Sequence, residues 1–155
     1  MQGSRIGRVA MAGLFAAIAS CSDDTTGIAT SFTASMLGAW EVPAVSTNAS
    51  GTATFSISGT TITFTLNYSG LTATASHIHV GDPDETGGIA VTLCSATTTP
   101  CSSGLTGTRS LDASQTVVDD FAELAGEMRS RGAYVNVHTT ANPGGEIRGA
   151  IFGVY

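Results

Sequence analysis

The stretch GTATFSISGTTITFTLNY, residues 51–68, decides the fold. Before its central Ser58-Gly59-Thr60, the apolar residues Ala53, Phe55 and Ile57 alternate with Thr and Ser; after it, Ile62, Phe64 and Leu66 do the same. Residues two apart share a face of a strand, and a short Gly-containing segment between two such runs signals a hairpin. The expectation is a strand over 51–57 and another over 61–68, each with one apolar face turned to a core.

Outward from this hairpin the same period recurs. On its N-terminal side, 32–37 reads as a strand that leaves through Gly38-Ala39-Trp40-Glu41-Val42-Pro43, where Pro43 cannot donate to a central ladder. On its C-terminal side, 73–80 and 89–93 read as strands, and 133–139 and 146–154 as a closing hairpin around Asn142-Pro143-Gly144-Gly145. One segment departs. Within 119–131, Phe121, Leu124, Ala125 and Met128 recur at helical spacing, with Asp119 and Asp120 in front and Arg129 and Arg131 behind, before Gly132. The pattern predicts a mostly β domain, an antiparallel sandwich or barrel of Greek-key, immunoglobulin-like or superoxide dismutase-like type, with one short amphipathic helix near 119–131.

The chain has 155 residues, only 12% of them charged, with a net charge of −6 and six Lys and Arg in total. That size suits one domain, and so few basic residues exclude a phosphate-binding footprint, so no nucleic-acid partner is expected. Asp82, Asp84 and Glu85 do not follow the EF-hand spacing and read as a solvated turn. No nucleophile with an adjacent base, phosphate loop or paired-carboxylate site is evident, so no catalytic residue is assigned.

At the N-terminus, Arg5 and Arg8 precede an apolar run over 9–19 that ends in Ile18-Ala19-Ser20-Cys21. The run is too short to span a bilayer, which takes about 20 residues. The tetrapeptide resembles a lipobox. The resemblance implies a lipoprotein signal peptide over 1–20, acylation of Cys21, a flexible tether over 21–30 and a folded domain over 31–155. The protein is then exported, and anchored through lipid to a bacterial cell envelope or secreted; Ser22 after Cys21 favours the outer membrane. In such an oxidising compartment, Cys94 and Cys101, flanking a Ser/Thr-rich stretch, are expected to close a small loop as a disulfide rather than act as thiolate ligands.

The chain has three histidines, His77, His79 and His138. In Ser76-His77-Ile78-His79-Val80 the two imidazoles fall on the face opposite Ile78 and Val80; in Tyr134-Val135-Asn136-Val137-His138 the third falls opposite Val135 and Val137. On the returning strand Ile147 and Ile151 point inward, which puts Glu146 and Arg148 on the face of His138. Three neutral imidazoles suit copper(II) or zinc(II) and need no thiolate. Asn136, Glu146 and Arg148 are the candidate supporting groups.

Several motifs in order look like those of the CHRD domain: Glu41-Val42-Pro43, then Ala75-Ser76-His77-Ile78-His79-Val80-Gly81, Ala133-Tyr134-Val135-Asn136-Val137-His138-Thr139, and Asn142-Pro143-Gly144-Gly145-Glu146-Ile147-Arg148-Gly149. The resemblance spans about 32–154 and implies an extracellular β-sandwich-like domain without a defined chemistry. The His-x-His strand is also locally similar to the copper strand of copper/zinc superoxide dismutases, although three histidines are too few for that family's copper and bridged zinc sites. The leading expectation is a cell-envelope metal-binding module. The alternatives are a metal-independent adhesion or protein-interaction module with an envelope or extracellular protein partner and, less favoured, a dismutase-like redox enzyme.

Overall fold

In the central hairpin, β2 (Ser50–Ser58) and β3 (Thr61–Ser69) pair residue for residue from Ser50 opposite Ser69 to Ser58 opposite Thr61. The alternation is realised in burial: Ala53, Phe55, Ile62, Phe64 and Leu66 are in the core, and the Thr and Ser between them face outward. The computed structural model describes residues 29–82, 84–114 and 117–155. The signal-peptide, lipid-anchor and most of the tether assignments, Cys21 included, lie outside these residues.

Around the hairpin stand β1 (Ser31–Leu37), β4 (Ala75–Val80), β5 (Gly88–Ser95), β6 (Leu105–Arg109), β7 (Ala133–His138), β8 (Ile147–Ala150) and β9 (Phe152–Val154). They form one antiparallel sheet in the order β5-β4-β7-β8-β1-β2-β3-β6, with β9 also paired to β1. The sheet coils into a nearly closed barrel or sandwich. Its two end strands approach through side chains and a following loop: Arg109 donates to the Leu93 carbonyl, the Asp112 amide to the Ala90 carbonyl, and the Thr92 hydroxyl to the Asp112 carboxylate.

The helix α1 (Phe121–Ser130) buries Phe121, Leu124, Ala125 and Met128, the four residues whose spacing pointed to it. Asp120 caps its N-terminus, accepting from the Ala122 and Glu123 amides, which would otherwise be unpaired. At its C-terminus the left-handed cap is Arg131 (φ 68°), the residue before Gly132. Cys94 and Cys101 form a disulfide with Cα atoms 5.2 Å apart.

Three expectations change. The segment 146–154 is not one strand but β8 and β9, separated at Ile151, whose buried side chain turns into the core while the chain passes from β7 to the edge of β1. Gly149 permits this crossing, because a Cβ there would collide with the Ser35 carbonyl of β1. β6 was not expected; it is a five-residue strand, Leu105-Thr106-Gly107-Thr108-Arg109, with its two threonines exposed and the rest half-buried, that pairs with β3 and has too few apolar residues to stand out. β5 is longer than 89–93 and does not alternate, because it carries extra residues at Ala90 and Leu93 where its register with β4 shifts.

Candidate metal centre

β4, β7 and β8 are consecutive in the sheet, and their pairing sets the outward side chains in rows. His77 is opposite Asn136, which is opposite Arg148; His79 is opposite Tyr134; and Ala75 is opposite His138. The expectation of a face opposite the core holds in direction, but the face is not open. His79, His138, Tyr134, Asn136 and Arg148 are all buried, and loops lie over them. The register shifts between β4 and β5 fall at His77 and His79, where bulges re-aim side chains.

Each imidazole is held by a defined contact. His79 Nδ1 donates to the Gly87 carbonyl at 2.9 Å and His138 Nδ1 to the Pro143 carbonyl at 2.9 Å, so both rings carry their proton on Nδ1 and keep a lone pair on Nε2. His77 Nδ1 lies 2.9 Å from His138 Nε2. The three rings offer one nitrogen each, all within 4.8 Å of one another.

The Gly87 peptide is a double tie, since its N–H also donates to the Tyr134 hydroxyl at 3.0 Å. A Cβ at Gly87 would collide with the Val80 carbonyl, so the close approach of this loop to β4 requires glycine. The Tyr134 ring stacks on His79 with centroids 4.8 Å apart, and the Arg148 guanidinium carbon lies 3.4 Å from the Tyr134 centroid.

Burial lowers the pKa of all three histidines. It pushes His77 down to about 4, and the neighbouring His138 and His79 rings add to the effect. In His79 burial outweighs the Gly87 carbonyl, which favours the charged form, and in His138 it outweighs the Pro143 carbonyl. All three are therefore neutral at ordinary pH, which is the ligand form.

Among the described residues, two buried atoms in this cluster have no hydrogen-bond partner, His79 Nε2 and Asn136 Oδ1. The Asn136 amide nitrogen faces the Gly144 carbonyl at 3.4 Å, which fixes the amide with its oxygen as the unpaired acceptor. A bound cation engages such a nitrogen directly, and a water on that cation has protons for such an oxygen. Metal–imidazole bonds of about 2.0–2.1 Å put nitrogens on a shared tetrahedral ion roughly 3.3 Å apart, so modest ring rotations convert this cluster into a ligand set.

Glu146 is placed differently from expectation. Its carboxylate accepts from Thr139 and Asn142 within the closing loop, not from an imidazole or Arg148, and these contacts together with Thr47 hold its pKa down. It braces the loop that presents the Pro143 carbonyl to His138. The carboxyl group beside Arg148 is Glu41, buried against Gly145 and pushed up to about 7 because burial outweighs the attraction of Arg148. Glu41 was not singled out by itself, although it opens the first of the motifs; a loop carboxyl gives no periodic sign of burial.

A family model for the CHRD domain matches residues 32–151. The chain belongs to the CHRD-domain family. No curated protein and no solved structure matches it. All three histidines of this CHRD domain, together with Glu41, Tyr134, Asn136 and Arg148, fall within the matched segment.

Proposed function

We propose that this CHRD domain is a metal-binding module of the cell envelope, with His77, His79 and His138 as ligands and copper(II) preferred to zinc(II). The observation that carries the reading is the tautomer arrangement: carbonyl acceptors hold the Nδ1 protons of His79 and His138 and leave a lone pair on each Nε2, that of His138 2.9 Å from His77 Nδ1, in a cluster that offers one nitrogen per ring within 4.8 Å. The copper preference rests on the general affinity order for nitrogen sites. Asn136 and Arg148 support the site from their cross-strand positions, and Glu146 supports it through the loop. Catalysis is not part of the proposal.

Calorimetric titration with Cu(II) and Zn(II), run beside a His77→Ala/His79→Ala/His138→Ala variant, tests it. Saturable one-to-one binding lost in the variant is expected; equally weak binding by both proteins sinks the reading. A metal-independent interaction module draws on the exposed Trp40 and Val42, and capture of an envelope protein that resists chelator would favour it. The lipid anchor at Cys21 belongs to the same proposal, and labelled palmitate incorporation that is abolished by Cys21→Ser checks it.

A further inference from the structure

Beyond the histidines, on the far side of the Tyr134–Arg148 pair, lies a cleft of about 640 Å³. Arg148 forms part of its wall and is only 2% exposed. Among the described residues its one hydrogen bond is from Nη2 to the Asp82 carbonyl at 2.9 Å. The neighbouring Glu41 carboxyl makes no hydrogen bond to it: among the described residues Glu41 Oε1 is buried without a partner. A buried guanidinium without a charge partner is costly, and its planar fork of donors matches a carboxylate.

Trp40, Val42 and Phe152 give the cleft an apolar side, while Glu41, Asp84 and Arg131 also line it. Trp40 is 48% exposed and Phe152 39% exposed at its rim. Arg131, the one non-glycine residue with positive φ among the described residues, places its guanidinium 5.6 Å from the Phe152 ring. By contrast, the larger concavity across β1, β2, β3 and β6, about 810 Å³, is lined without any ionisable side chain.

We propose that this cleft binds a small organic acid, its carboxylate on the Arg148 guanidinium and its apolar body against Trp40 and Phe152. The inference does not rest on metal binding. Trp40 is the only tryptophan of the chain, so its fluorescence reports on the cleft directly.

The test is titration of the metal-free full chain with phenylacetate and with its uncharged analogue phenylacetamide. Saturable change of Trp40 fluorescence by the acid is expected, with the amide at least about tenfold weaker and the acid weakened about tenfold by Arg148→Lys. Phe152→Ala should also weaken the acid, and it keeps the test decisive if circular dichroism shows that the buried Arg148 variant does not fold. Equal binding of acid and amide, no saturation, or binding that appears only after metal loading each overturns the proposal; the last outcome would place the acid on the ion.

Discussion

Nδ1 of His77 stands 2.9 Å from Nε2 of His138, on neighbouring strands and 61 residues away in sequence. Because His138 gives its only proton to the Pro143 carbonyl, the proton in this contact belongs to His77 Nδ1. A metal ion can enter only if that proton leaves Nδ1, so His77 must move from its Nδ1–H to its Nε2–H form. Nitrogen-15 spectra of the imidazoles should show all three rings as Nδ1–H tautomers without metal, with His77 alone switching on addition of Zn(II). An unchanged His77 signal at saturating zinc would remove it from the ligand set.

Gly87 should tolerate no side chain. In Gly87→Ala the new Cβ meets the Val80 carbonyl, and the loop must lift away from β4, loosening the contacts to His79 and Tyr134 together. A loss of about 2–3 kcal/mol in urea unfolding is expected, with weaker Cu(II) binding. Gly144→Ala, where a Cβ meets nothing, is the control and should change neither.

Acid should destabilise the metal-free domain. Burial holds His77 down to about 4 in the folded state against an ordinary 6.5, and it lowers His79 and His138 in the same direction. Between about pH 6.5 and 4 the unfolded chain therefore takes up protons that the folded one refuses, and stability falls as pH falls; His77 alone accounts for on the order of 2 kcal/mol, allowing for its partial exposure. Glu41 acts in the opposite sense. Raised from 4.5 to about 7, it gives the folded state the extra proton in that window, so its contribution is lost as pH rises through 7. Urea midpoints should thus drop from pH 7 to pH 5, and more steeply in Glu41→Gln. A flat or rising profile towards acid would contradict the burial of the imidazoles.

The Cys94–Cys101 disulfide spans a sequence separation of seven. Closing so short a loop restricts the unfolded chain by about 2–3 kcal/mol, so Cys94→Ala/Cys101→Ala should lower the melting temperature by roughly 10 °C. Calorimetry on the two proteins checks this; an unchanged melting temperature would mean that the loop is already ordered in the unfolded state.

Much of the fold was legible because its signals are local. Alternation at Ala53, Phe55, Ile62, Phe64 and Leu66 reports a half-buried strand, and the spacing from Phe121 to Met128 reports a helix face, without reference to any distant residue. The common face of His77 and His79 followed from the same rule. β6 and the break at Ile151 were not legible, since a short Thr-rich edge strand and a strand that changes partners leave no periodic trace. Neither were the extra residues in β5, which exist only relative to the register of β4.

By itself the sequence determined most of the strands, the helix, the disulfide partners and the inward or outward sense of each histidine, because side-chain direction along a strand depends only on position in that strand. Only the tertiary structure decided that His138 meets His77, that loops bury the face they share, and that Glu41 rather than Glu146 neighbours Arg148. Those relations depend on strand order and register across the sheet and on which loop covers which row. They are set by packing between segments from 8 residues apart, as for His79 and Gly87, to 107 apart, as for Glu41 and Arg148 (148 − 41), which no local pattern encodes.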